Sequence, residues 1–207
     1  MKVGETTDAD MVELRLDYLS NFPTDFSSIS KISKPVIATC MPFFEGGKFE
    51  GGEEERFDIL KRTLPYVQYV TIELRTEKKF REKLIREAKS KGVRVIIAHH
   101  DFNFTPSVEE ILKILKEEAN AGADIAKVAF MARDKKDVLE LLLALVTAKL
   151  KIPIIALNMG EEGRLSRILS PLFGGYLTYA SPAPGKESAP GQYTVEETKK
   201  LIEAFKT

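Results

Sequence analysis

One lysine stands in the middle of an apolar run, Ile125-Ala126-Lys127-Val128-Ala129-Phe130. Buried lysine is costly and rare. Desolvation disfavours its ammonium form and yields a neutral amine near neutral pH. A neutral amine attacks carbonyl carbon and forms an imine, so Lys127 is a candidate Schiff-base nucleophile. The competing reading is a lysine that snorkels from a strand end or pairs with a carboxylate. A second chemical group lies in His99-His100-Asp101-Phe102, which holds the only two histidines of the chain. Adjacent strand residues point to opposite faces, so one histidine faces a site there, and parity alone leaves open which. A histidine at a strand end suits general acid/base work. The two histidines do not form a metal cluster, and no His/Cys ligand spacing occurs elsewhere, so no metal is expected.

Four further features surround these two. Val12-Glu13-Leu14-Arg15-Leu16-Asp17 alternates strictly, with Glu13, Arg15 and Asp17 on one face. On a half-exposed sheet that face meets water; in a parallel barrel it must point into the interior or the mouth. There Glu13 and Arg15 become ligands for a polar substrate. Glu45-Gly46-Gly47 is either a carboxylate that orients a histidine or an ordinary Gly-rich turn. Arg167, in Ser166-Arg167, either clamps a carboxylate bidentately or stands solvated on its helix. The Pro/Gly-rich segment 181–192 is too long for a simple turn and reads as a lid that keeps an imine dry.

The elements that position these groups alternate. Strands are predicted over 12–17, 36–40, 69–74, 93–99, 125–130, 154–158 and 176–180, with helices over 53–64, 78–90, 107–119, 135–148, 164–169 and 195–205. Strand–helix alternation implies parallel strands joined by helical crossovers. Thr105-Pro106 reads as an N-cap followed by proline at the first helical position. Thr194 to Glu197 reads as a capping box, and Gly92 and Gly122 fall where helices end. The choice lies between a (β/α)8 barrel and an open doubly wound sheet. No Gly-rich nucleotide fingerprint follows a strand, and polar residues gather at strand ends, which favours the barrel. Too few residues precede Glu13 for a full first strand and helix, so the first β/α unit is expected to be abbreviated, with 1–5 as a stub. Such a gap exposes apolar surface unless another subunit covers it. One domain over 1–207 is expected.

Bulk properties narrow the function classes. Lys+Arg and Asp+Glu balance at 31 each, which leaves no basic field for a nucleic acid. The longest apolar runs, 141–146 and 152–157, fall far short of the roughly 20 residues a membrane helix needs. The N-terminus has no apolar signal core. A lone Cys40 makes no internal disulfide, which fits a reducing cytoplasm. The Lys/Glu bias and only two glutamines resemble proteins from hot environments.

In order and spacing, the motifs resemble the type I 3-dehydroquinate dehydratases, Schiff-base dehydratases of the shikimate pathway. The resemblance rests on Glu13-Leu14-Arg15-Leu16-Asp17-Tyr18, Glu45-Gly46-Gly47, Glu73-Leu74, His100-Asp101-Phe102, Thr105-Pro106 and Ala123-Asp124-Ile125-Ala126-Lys127. It continues through Met159-Gly160, Ser166-Arg167, Phe173-Gly174 and Ser188-Ala189-Pro190-Gly191-Gln192. It implies a TIM-type barrel, a small-molecule substrate, no cofactor and a homodimer. It implies Lys127 as the imine lysine, His100 as the proton-transferring base and Glu45 as its hydrogen-bond partner. Arg167 would bind the substrate carboxylate, Glu13 and Arg15 the ring hydroxyls, and Ser188 and Gln192 would close the lid. Two departures accompany it: Met41 stands where the family usually has arginine, and Thr71 where it has aspartate. An aldolase-like lysine barrel and a non-catalytic metabolite-binding barrel are the other readings; the retained Lys127, His100, Glu45, Arg167 and Gln192 argue against the second.

Overall fold

The computed structural model describes residues 7–205. Six strands form one sheet in sequence order: β1 (Val12–Arg15), β2 (Val36–Thr39), β3 (Tyr69–Glu73), β4 (Arg94–Asp101), β5 (Ile125–Met131) and β6 (Ile154–Met159). Every neighbouring pair is parallel. Six α-helices accompany them: α1 (Glu53–Thr63), α2 (Lys78–Ser90), α3 (Val108–Asn120), α4 (Lys135–Thr147), α5 (Ser166–Leu172) and α6 (Val195–Phe205). The strands curl into a half-barrel, with one set of alternate side chains turned inward and the other packed under the helices.

Period two decides what each residue does. Along β5, Ala126, Val128 and Phe130 join Ile111 and Leu115 of α3 and Leu141, Ala144 and Leu145 of α4 in one apolar cluster. Ile125, on the opposite face, packs inside with Ile37, Tyr69, Ile96, Ile155 and Leu157. Lys127 shares the Ile125 face, so β5 turns its one charged side chain inward. A larger outer cluster unites β2, β3 and β4 with α1 and α2 through Ile59, Leu60, Val70, Leu84, Val95 and Ile97.

Two expectations about the elements are corrected. The segment 176–180 is not a strand. Tyr176 N–H donates to the Ile154 carbonyl at 2.8 Å, and Leu177 and Tyr179 turn into the inner cluster, but no continuous ladder follows. Alternation supplied the inward side chains, yet a strand also needs successive partners along its length. Among the described residues the sheet therefore has six strands rather than the expected seven or eight. The N-cap of α3 is Ser107, not Thr105: its Oγ accepts from Glu110 N–H and the Glu110 carboxylate accepts in return. Thr105 is drawn elsewhere, donating to the Met131 carbonyl at 2.8 Å and accepting from Asn158 Nδ2 at 2.9 Å. Thr194 and Glu197 do form the expected capping box before α6, and Gly92 and Gly122 take the positive φ expected after α2 and α3. The stub at 1–5 lies outside the described residues.

A buried ion pair braces the strand ends beneath the mouth. Arg56 of α1 is 1 % exposed and donates to Glu73 Oε2 at 2.5 Å, to Thr76 Oγ1 at 2.7 Å and to the Cys40 carbonyl at 3.2 Å. Burial pushes the Glu73 carboxyl up to about 7 against the pull of Arg56. Arg56→Met strands that carboxylate in the interior. Above pH 7 the variant is expected to lose about 3–5 kcal/mol of stability, the usual cost of leaving a buried charge unpaired. At pH 5, well below the raised Glu73 pKa, the carboxyl is protonated and the loss is expected to shrink. Urea unfolding at the two pH values measures both.

Candidate active site

The inward side chains at the C-terminal ends of the strands enclose one cavity. Its lining includes Glu13 and Arg15 of β1, Met41 after β2, His100 of β4, Lys127 and Ala129 of β5, and Met159 of β6. Arg167 of α5, Tyr179, and Ser188 and Gln192 from the covering segment complete it.

Lys127 is 5 % exposed. Burial pulls its ammonium below the ordinary lysine range, and Glu13 opposes this only in part. The register pairs Ala98 with Lys127 and His100 with Ala129. His100 therefore shares the inward face of Lys127, and His99 points outward, where its ring lies 6.0 Å from Phe130. The choice that parity left open is settled in favour of His100. Burial holds the His100 imidazole below its usual pKa, despite the hydrogen bond from its ring to Glu45. It is a neutral base at neutral pH.

Glu45 is fully buried in the short 3-10 turn after β2 (Phe43–Glu45). Its Oε2 accepts the His100 backbone N–H at 2.8 Å and lies 3.0 Å from Nδ1. Burial favours its neutral form, but the hydrogen bonds and charges of His100 and Arg75 outweigh that and hold it below its usual pKa. An anionic acceptor at Nδ1 fixes the proton there and leaves Nε2 free as the basic nitrogen. Gly46 takes φ +79°, and a Cβ at that position would strike the Phe102 ring, which stacks on His100. Glycine is therefore what lets the carboxylate turn come up against the histidine.

Arg167 is 3 % exposed and has no carboxylate partner among the described residues. It donates to the carbonyls of Pro190 at 3.0 Å and Tyr179 at 3.5 Å, while its Nε is buried without a partner. Burial alone pushes it down to about 10. The solvated-arginine alternative is thus excluded, and the cavity contains a guanidinium that lacks an anion. Arg15, by contrast, is clamped by Asp17 at 2.9 and 2.7 Å. Glu13 accepts from Thr39 Oγ1 at 2.9 Å. Ser188 and Gln192 bond each other, Ser188 N–H to Gln192 Oε1 at 2.8 Å. The segment they occupy is tied down by the Gly160 N–H to the Pro190 carbonyl at 3.2 Å. Met41, 6 % exposed, presents an apolar wall. Every residue expected at the site thus reaches this one cavity or, as Glu45 does through His100, touches it.

Three participants escaped the sequence reading. Arg75, after β3, donates from Nε to Glu45 Oε1 at 2.5 Å and from Nη2 to the His100 and Phe44 carbonyls at 3.0 Å. Glu118 of α3, fully buried, accepts the Lys127 backbone N–H at 2.9 Å. Burial raises its carboxyl well above the usual range. Tyr179 lays its ring 4.2 Å from Lys127 Nζ. An arginine directly after a strand was a signal for Arg75; no local pattern marked the other two.

No group of three or more metal-binding side chains occurs among the described residues. The donors present are one imidazole, isolated carboxylates and an amine.

The chain is similar to known proteins along its length. The family model described as type I 3-dehydroquinase matches residues 1–207. The 3-dehydroquinate dehydratase of Methanosarcina barkeri is 38% identical over 205 residues, covering 94% of this chain and 85% of that protein. The 3-dehydroquinate dehydratase of Methanocaldococcus jannaschii is 40% identical over 195 residues, covering 93% and 86%. Among solved structures, the type I 3-dehydroquinate dehydratase of Clostridium difficile with covalent modified comenic acid superposes with a TM-score of 0.87 at 28% identity, covering 98% of this chain and 84% of that one. A match across the full length, with relatives near 40% identity over most of both chains, leaves one assignment: this chain belongs to the type I 3-dehydroquinase family.

Proposed function

We propose that this protein dehydrates 3-dehydroquinate to 3-dehydroshikimate by syn elimination through an imine on Lys127, in the biosynthesis of chorismate and the aromatic amino acids. The observation that carries the proposal is one cavity in which a desolvated amine, a neutral imidazole on the neighbouring strand and an unpaired guanidinium converge. A covalently modified ligand in the Clostridium difficile relative supports it further.

The steps follow from the groups. The Lys127 amine adds to the C3 ketone, and loss of water gives the iminium. The iminium withdraws electrons from C2 and acidifies its proton. His100 Nε2 removes that proton; the electron pair forms the new double bond, and the C1 hydroxyl leaves with a proton returned by His100 from the same face. Hydrolysis of the iminium releases the enone and restores the amine. Arg167 holds the substrate carboxylate, and Glu13 and Arg15 hold ring hydroxyls. No cofactor takes part.

The cavity as it stands measures about 50 Å³, far below the roughly 300–1,000 Å³ of small-molecule sites. Ser188 and Gln192 must therefore lift with their segment to admit the ring and then close over it. The fold proposed is a TIM-type barrel in which 176–180 fills a strand position, in a chain that works as one catalytic domain. No helix among the described residues is long and apolar enough to cross a membrane. A homodimer in the cytoplasm is proposed as the working form, on the family resemblance.

Arg75 acts as a positioning residue in this scheme. Arg75→Gln is expected to lower kcat by up to about 10²-fold, the cost of a small misplacement of a reacting group, with KM little changed. Arg75→Lys keeps the charge and is expected to recover part of the rate. Steady-state kinetics on both variants decides it, and a rise in KM alone would contradict the role. The proposed function itself is tested by mixing the protein with 3-dehydroquinate and following the conjugated-enone absorbance. A steady rise is expected, and a flat trace from folded protein would sink the proposal.

A further inference from the structure

Tyr179 sits in the segment after α5, and nothing in the scheme above uses its hydroxyl. Its side chain turns inward and lines the cavity beside Glu13, Arg15, Lys127 and Arg167. The ring face lies 4.2 Å from Lys127 Nζ. The hydroxyl is shielded from solvent and has no hydrogen-bond partner. Native structures leave few buried hydroxyls unpaired, because desolvation then goes uncompensated. Burial raises the phenol well above its ordinary pKa, and Glu13 and Arg15 are the charged groups that act on it. It is a donor close enough to Glu13 and Arg15, the two residues proposed to hold ring hydroxyls, for their charges to act on it.

We propose that Tyr179 is a catalytic residue: its hydroxyl donates to a ring hydroxyl of the polyhydroxylated substrate, and its ring face stabilises the positive charge of the iminium on Lys127. The second role rests on the imine reading of Lys127. It follows from charge placement. The carbinolamine that precedes the iminium is neutral at nitrogen. The carbinolamine hydroxyl takes up one proton from solvent and leaves as water, which places a positive charge on Nζ, over the ring face, where the quadrupole attracts it. Lys127 is buried there, which strengthens the attraction. The two roles separate by substitution, since phenylalanine keeps the ring and removes only the hydroxyl.

For Tyr179→Phe, KM for 3-dehydroquinate is expected to rise about three- to tenfold, the loss of one hydrogen bond, with kcat within about threefold of wild type. Borohydride at saturating substrate is expected to trap Lys127 in this variant as fully as in wild type. For Tyr179→Leu the trapped fraction at saturation is expected to fall severalfold, in protein whose circular dichroism matches wild type. An unchanged KM in the phenylalanine variant overturns the hydrogen bond, and that variant keeps the core volume, so it remains decisive whether or not the leucine variant folds. Full trapping in the leucine variant overturns the role of the ring. Wild-type protein that turns over without any trapped adduct overturns the imine reading itself, and with it the ring's part but not the hydrogen bond.

Discussion

Lys127→Met is expected to lower kcat by on the order of 10⁴-fold or more, as removal of a covalent nucleophile does elsewhere. The substitution keeps the length of the side chain and removes only the amine. The surroundings suit it, since Met41 and Met159 already line the same cavity. Arg167 keeps its position, so ligands that carry a carboxylate are expected to bind, and calorimetry measures that separately from turnover. Stability moves the opposite way. Burial holds the Lys127 ammonium below its usual pKa. Below that depressed folded pKa the wild type bears the full cost of a buried charge, and the cost disappears as pH rises to the unfolded value of 10.5. Lys127→Met is therefore expected to melt above wild type at neutral pH, with the gap closing towards pH 10.5. A variant that is inactive and less stable at neutral pH would mean that Lys127 holds the fold rather than the chemistry.

His100→Ala is expected to cost about 10²–10⁴-fold in kcat, the usual worth of a positioned acid/base. His99→Ala is expected to cost no more than a few fold. The difference follows from one residue of register, because Ala98 pairs with Lys127 and only even-numbered positions of β4 near it face inward. The pH profile supplies a second readout. His100 must be neutral to accept the C2 proton, and burial holds it below the ordinary 6.5. Loss of kcat/KM through this group is therefore expected only below pH 6.5, and the limb is expected to vanish in His100→Ala. Equal losses at the two histidines would contradict the assignment.

The sequence showed the site more fully than it showed the sheet's closure. Lys127, Glu13 and Arg15 were legible because a strand's period is two and charges within apolar runs stand out. His100 was legible only as one of a pair; the pairing of β4 with β5 was needed to choose it. Arg75 meets Glu45 thirty positions away in sequence, and nothing local in Leu74-Arg75-Thr76 encodes that turn. Glu118 looks like any other glutamate in Lys116-Glu117-Glu118, and only the packing of α3 against β5 buries it. Tyr179 reads as an ordinary strand aromatic. The segment that carries it shows the limit of pattern reading: its alternation fixed which side chains point inward, whereas strand pairing depends on neighbours brought by the rest of the chain. Thr105 was read as the helix cap, but the helix begins at Val108 with Ser107 as its cap, and Thr105 bonds Met131 and Asn158 instead.

The central claim is a covalent bond between Lys127 and the substrate carbon. Borohydride reduction with and without 3-dehydroquinate, followed by peptide mass spectrometry, tests it most directly. A ligand-sized mass increase on the peptide containing Lys127, present only with substrate and absent in Lys127→Met, is the predicted result. Turnover with no adduct, or an adduct on a different lysine, would contradict it.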